Sequence, residues 1–290
     1  MEKYEITPLF PDGKQKAFTM SYDDGNDCDV RLTQMMRRYG IRGTFNLNSG
    51  LMPDAPQENP PGKRWHRMSM AECLETFGDD MEIAIHGASH PWWNLLPAAA
   101  AMADILDDRM ALEKATGKLV RGAAYPFGTW NEDVVSVLRQ AGVQYCRTTK
   151  CTGGFRFPAK GQNGDFLLWD PTSRNRDPKM EELGEKFLTG DPREYLWVYY
   201  LWGHSYEFVA DDSWERMEAF LQRMGGHDEV WYPTNIELID YYHAYRALRS
   251  DASGGFLTNP TDLDVWVRHR SGQDVRTIRI PAGQSVSLPL

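Results

Sequence analysis

The sequence predicts an α/β fold, a distorted parallel (β/α) barrel of about seven strands with a small C-terminal β appendage. Three observations predict it. Short apolar runs of strand length alternate with amphipathic helical stretches. No long linker interrupts the alternation. After Gly254-Gly255 the pattern changes to β-like runs, Val265-Trp266-Val267 and then Ile278 and Ile280. The expected division is therefore residues 1–250 as barrel and 251–290 as a β appendage packed on it.

The first strand is read in Lys16 to Tyr22. Leu32, Met35, Met36 and Tyr39 then share a helical face, with Gly40 as its stop. Thr44 to Leu47 reads as strand two. A Pro-rich loop follows, and Ser69 with Glu72 forms a capping-box pattern for a short helix. Strand three is Met81 to His86. The next helix carries Met102, Ile105, Leu106 and Met110 and stops near Gly117. Strand four lies near Gly122 to Tyr125. Asn131 can cap a helix bearing Val134, Val135 and Leu138. Strand five is Val143 to Arg147, and Phe166 to Trp169 reads as a short extra strand. Met180 to Leu188 is expected as a helix and Leu196 to Trp202 as a long apolar strand. Asp212 and Glu215 resemble a second capping box. Val230 to Tyr232 is the last barrel strand and Ile236 to Leu248 the last helix.

Composition narrows the function. The 290 residues carry a formal net charge of -9, from 32 basic and 41 acidic side chains. That balance argues against nucleic acid and anionic membrane as partners. No apolar run reaches the roughly 18 residues of a membrane span. The first residues lack a basic segment followed by an apolar one, so no signal peptide is read and a cytoplasmic location is expected. The four cysteines form no Cys-x-x-Cys pair, which fits a reducing compartment. Ten Trp and thirteen Tyr supply core, and also faces suited to sugar rings.

The chemistry sits at predicted strand ends. Asp23-Asp24-Gly25 follows strand one, and His86-Gly87-Ala88-Ser89-His90 begins at the end of strand three. One Asp and two His can hold a divalent cation with a position open for water. The other Asp can act as base on that water. Tyr125-Pro126-Phe127-Gly128 follows strand four, and His204 follows the long late strand. In a parallel barrel these ends share one rim. Singly, each motif has a bland explanation. Asp-Gly is common in turns, and a lone His after an apolar strand is more often structural. Trp169-Asp170 reads equally well as a core Trp before a turn Asp. His66, His227, His243 and His269 lack rim positions and are read as structural or solvated.

Taken in order, Ser21-Tyr22-Asp23-Asp24-Gly25, His86 to His90, Tyr125 to Gly128 and Leu201-Trp202-Gly203-His204 resemble the motifs of the polysaccharide deacetylase (NodB-like) superfamily, over roughly residues 16 to 245. The resemblance implies metal-dependent removal of acyl groups from amines, usually N-acetyl sugars. It implies Asp23 as general base, Asp24, His86 and His90 as ligands of a divalent metal, with zinc favoured, and His204 as general acid. Asp170 would orient His204. Tyr125, Phe127, Trp169 and Trp202 are expected on the oxyanion and substrate side, a backbone N–H near Phe127 helping to hold the oxyanion.

Two positions depart from the family pattern. Gly87 stands where Ser or Thr is usual, and Ala124 where an Arg pairs with the catalytic Asp. Arg121 is expected about 10 Å below the rim, at roughly 3.3 Å per residue. Arg147, ending strand five, starts at rim level and is expected to replace the lost partner of Asp23. The expected substrate is a carbohydrate or a small-molecule amide. The alternatives are a cyclic amide or imide hydrolase, and a carbohydrate-binding protein without turnover.

Overall fold

The computed structural model describes residues 4–158 and 164–289. Seven parallel strands form the spine of a central sheet that has ten strands among the described residues. In chain order they are β1 (Lys16–Asp23), β2 (Thr44–Leu47), β3 (Glu82–Ile85), β4 (Gly122–Ala124), β5 (Tyr145–Arg147), β6 (Phe166–Trp169) and β7 (Leu196–Gly203). In space they run β7-β1-β2-β3-β4-β5-β6. β1 and β7 are the longest and pair along seven residues, from Trp197 beside Lys16 to Gly203 beside Tyr22. β1 is buried over its whole length. Such a strand must be apolar on both faces, which is why it reads as an unbroken run rather than an alternating one.

No ladder joins β6 to β7 among the described residues, so the sheet is a curled, incompletely closed barrel. Aromatic rings fill the seam. Trp169 lies 4.6 Å from Tyr200, centroid to centroid, and Phe157 lies 5.4 Å from Phe166. Val230–Trp231 pairs with the start of β1 as a two-residue strand, shorter than the expected Val230 to Tyr232.

The helices bury the faces the spacing predicts. Leu32, Met35 and Met36 of Cys28–Arg38 lie in the main core. Ser69 and Glu72 form the expected capping box, and Asn131 accepts from the Val134 N–H. Asp212 and Glu215 do not form one. The helix Trp214–Met224 starts from Ser213 with no side-chain cap. No helix among the described residues is long and apolar enough to cross a membrane.

The C-terminal segment differs from expectation at its boundary. The N-terminal strand Tyr4–Leu9, assigned by sequence to the barrel, pairs antiparallel with Val265–Ser271, which pairs with Asp274–Ile280. A second small sheet joins Arg249–Ser250, Phe256–Thr258 and Ser285–Ser287. Both chain ends thus contribute to the appendage. Tyr241 fastens it to the barrel helix Asn235–Ala247. Its hydroxyl donates to the Leu9 carbonyl at 2.6 Å and accepts from the Trp266 N–H at 3.0 Å.

Candidate active site

β1 delivers Asp23 at its last position, in register with Asn46 of β2. Asn46 Nδ2 donates to Asp23 Oδ1 at 2.8 Å. Arg147 Nη2 donates to Asp23 Oδ2 at 2.5 Å, reaching across the barrel top from the end of β5. Arg147 is fully buried and Asp23 is 2% exposed. The guanidinium carbon also lies 4.4 Å from the Trp202 ring centroid. Burial alone would raise the Asp23 carboxyl. The charges of Arg147, His86 and His204 and the Arg147 hydrogen bond outweigh it and hold the group at about 2. It is therefore a buried carboxylate, stable because it is paired. Arg121 is engaged elsewhere, in a two-pronged pair with Asp240 at 2.7 and 2.8 Å.

Next to it, the side-chain donor atoms of Asp24, His86 and His90 lie within 4.8 Å of one another. This is the one such trio of His, Cys, Asp or Glu among the described residues. His86 Nδ1 lies 2.9 Å from the Ala124 carbonyl, which can only accept. Nδ1 therefore carries the proton and Nε2 faces the site, 3.7 Å from Asp23 Oδ2. Burial lowers both imidazoles. His90 is held at about 4, with the neighbouring His86 adding to the effect. Neutral imidazoles and a carboxylate are the donor set a divalent cation of zinc type requires. Arg67 Nη2 contacts Asp24 Oδ1 at 3.2 Å and Nη1 donates to the Asp24 carbonyl at 2.7 Å.

Three residues of this site hold left-handed backbone, Asp24 at φ 82°, His90 at φ 50° and Phe127 at φ 58°. Such conformations cost non-glycine residues about 1 kcal/mol or more and concentrate at functional sites. Gly87 has φ 79°, and a Cβ there would meet Asp104 Oδ2 at 2.8 Å. Asp104 is occupied in holding the His86–His90 loop. It accepts from the Ser89 N–H at 3.0 Å, the Ser89 hydroxyl at 2.7 Å and Trp93 Nε1 at 2.9 Å. The departure at position 87 thus follows from the packing of this chain.

His204 lies across the cleft. Its Nε2 is 3.9 Å from Asp23 Oδ2 and 3.9 Å from Asp24 Oδ2. Burial lowers this imidazole, but Glu207, Asp23 and Asp24 together raise it above the ordinary value. The cleft has a volume of about 300 Å³, and its walls include Phe127, Thr149, Arg174, Trp202 and Tyr206. Phe127 stacks on Trp92, with centroids 4.0 Å apart and planes 4° apart, and meets the His90 ring edge-on. On the other side Tyr206 lies 5.0 Å from His204 and stacks on Trp65.

Two expected residues lie elsewhere. Asp170 accepts from the Thr148 hydroxyl at 2.5 Å and pairs with Lys150 at 3.5 Å. It is Glu207, with Oε1 at 3.6 Å, that faces His204 Nδ1. Trp169 is a core residue, 4% exposed and packed among Tyr145, Phe157, Phe166 and Tyr200. Tyr125 reaches the cleft wall, but its hydroxyl is spent on the Leu167 carbonyl at 2.9 Å. Asn46, Arg67, Glu207 and the Trp65–Tyr206 stack were missed. Asn46 had a signal, being a polar residue inside the strand run Thr44 to Leu47. Glu207 had another, lying one helical turn beyond His204.

No curated protein sequence matches the chain. The sequence profile of the family described as polysaccharide deacetylase matches residues 11–146. Among solved structures, a Mycobacterium smegmatis protein classed as a polysaccharide deacetylase superposes with a TM-score of 0.56 at 15% identity, over 83% of this chain and 94% of that one. Streptococcus pyogenes deacetylase PplD, solved with acetate, is 18% identical with a TM-score of 0.43 over 52% of this chain. The present chain spans only 61% of its length. A CE4-family pseudoenzyme from Bacillus anthracis is 16% identical with a TM-score of 0.46, over 81% of this chain and 68% of that one. Over residues 11–146 the chain is thus similar to the polysaccharide deacetylases, and that stretch lies on a fold shared with the Mycobacterium smegmatis protein.

Proposed function

We propose that the protein is a metal-dependent hydrolase of a carbon–nitrogen bond that deacetylates an N-acetylated amino sugar. One observation carries the reading. Three metal-ligand atoms, from Asp24, His86 and His90, converge within 4.8 Å beside a second carboxylate, Asp23, that is held apart from them by Arg147 and Asn46. The similarity of residues 11–146 to the polysaccharide deacetylase family supports it.

Asp24, His86 and His90 would hold a divalent cation, and two imidazoles favour zinc over magnesium or calcium. When bound, such a cation makes a nucleophile available at neutral pH and polarises the acyl oxygen. Asp23, kept ionised, takes a proton from the attacking water. A backbone N–H near Phe127 supports the oxygen on which charge develops. His204 Nε2 gives a proton to the departing amine, which leaves poorly without one. The stacked Trp92–Phe127 and Trp65–Tyr206 rings offer flat faces to a pyranose on either side of the cleft.

The test is acetate release from N-acetylglucosamine oligomers by zinc-loaded protein, with chelated protein and a cyclic imide run in parallel. Release that needs the metal is expected. Turnover of the imide alone would redirect the reading to ring opening, and binding of the oligomer without turnover by metal-replete protein would overturn it.

A further inference from the structure

We propose that Glu207 is the positioning residue of His204, accepting a hydrogen bond from Nδ1–H and so keeping Nε2 turned toward the cleft. The proposal rests on the reading of His204 as proton donor given above.

The local chain supplies the geometry. His204 leaves β7, and the Glu207 N–H closes a turn on the His204 carbonyl at 3.1 Å. Glu207 then starts the short helix Tyr206–Ala210 one turn away, with its carboxylate directed back at the imidazole. Oε1 lies 3.6 Å from Nδ1. The same oxygen accepts from Arg174 Nη2 and Arg176 Nη1, each at 2.9 Å. Arg176 is itself fixed by Asp211, at 2.5 and 2.7 Å. Two arginines therefore clamp a carboxylate that is only 4% exposed.

Two orphaned atoms complete the argument. His204 Nδ1 is buried without a hydrogen-bond partner, and so is Glu207 Oε2. A buried donor left unpaired beside a buried carboxylate carries a penalty that a hydrogen bond to that carboxylate removes. An approach of about 0.7 Å brings Nδ1 to ordinary hydrogen-bond length of Oε1. No other carboxylate serves that side of the ring. Asp23 and Asp24 face Nε2, and Asp170 is bound to Thr148 and Lys150.

The Nε2–H bond breaks as an N–H bond forms on the leaving amine, which keeps the electron pair of the cleaved C–N bond. The Nδ1–H bond of His204 stays intact, hydrogen-bonded to Glu207. The ring returns to the neutral Nδ1–H tautomer without rotating. A Gln at 207 would keep its oxygen toward the two arginines and Nδ1, whereas a Leu removes the acceptor and leaves nothing to select the Nδ1–H tautomer.

The experiment uses the full chain loaded with zinc, as wild type, Glu207→Leu, Glu207→Asp and Asp170→Asn. Three quantities are read: kcat and KM on triacetylchitotriose, zinc content, and the ¹⁵N resonances of His204, identified by their loss in His204→Gln. Expected for Glu207→Leu is a fall in kcat of about 100-fold, with KM and zinc content unchanged and the Nδ1–H signature of His204 lost. Glu207→Asp should restore part of the kcat and the Nδ1–H signature. Asp170→Asn should resemble wild type. Wild-type His204 resonances in Glu207→Leu overturn the proposal, as does a defect confined to KM, zinc content or folding that Glu207→Asp shares. If wild type is inactive on the sugar, the deacetylase reading has failed, and the resonances alone decide the role of Glu207.

Discussion

Arg147→Met keeps most of a buried volume and removes only the guanidinium from Asp23. The wild-type carboxyl sits at about 2 instead of its ordinary 3.8. Its ionised form is thus favoured by roughly 2–3 kcal/mol. That figure is what remains after burial has opposed it, so the guanidinium supplies more than the net. Removing one partner of a buried pair typically costs about 3–5 kcal/mol, because the other charge is stranded. The sign with pH follows from the direction of the shift. A carboxyl lower in the folded than in the unfolded state stabilises fully above about pH 4, and the contribution is lost as pH falls toward 2. Arg147→Met should lower the urea unfolding free energy at pH 7 by a few kcal/mol and flatten or reverse its acid slope. Both proteins are to be compared in chelator so that no metal contributes. In the zinc-loaded protein kcat should fall, since the base loses the partner that orients it, and the acidic limb of the pH–rate profile should move to higher pH. Arg147→Lys should recover charge but not the planar fork, and remain impaired. Near-normal turnover in Arg147→Met, or an acid slope equal to wild type, would refute the reasoning.

Three further outcomes are expected. His90→Ala should lose zinc on dialysis and lose acetate release with it, as read by elemental analysis, while Asp23→Asn keeps zinc and loses turnover. Asn46→Ala removes one of the two hydrogen bonds to a buried carboxylate and should lower stability by about 1–3 kcal/mol in urea unfolding, with turnover reduced. Gly87→Ser, which installs the residue type common in the family, should destabilise by more than about 1 kcal/mol because of φ 79° and the 2.8 Å approach to Asp104; a variant as stable as wild type would show that the loop adapts.

Barrel strands were legible because a buried parallel strand has no polar face to conceal it, as in Lys16 to Tyr22 and Leu196 to Trp202. The rim residues followed, since strand ends fix where Asp23, His86 and His204 begin. Arg147 was reached by combining the arginine missing at Ala124 from the family pattern with the position of Arg147 at a strand end. Glu207 was overlooked because its partner is set by a single helical turn after β7, and the family pattern drew attention to Asp170. Trp169 was ambiguous because an apolar ring before a turn looks the same facing the core or the cleft. The pairing of Tyr4–Leu9 with the C-terminal strands joins residues more than 250 positions apart, and nothing in a local window encodes it.

The left-handed backbone at Asp24, His90 and Phe127 also bears on how such a site could decay. Each of these positions favours glycine or asparagine conformationally, by something near 1 kcal/mol. While turnover is under selection, the side chains needed for it hold the backbone where it is least comfortable. Once selection for turnover lapses, replacing them releases the strain, and the fold gains stability as the chemistry disappears. Drift from enzyme to inert binding protein is then downhill on this scaffold, and the first substitutions to look for in an inactive descendant are at positions 24 and 90.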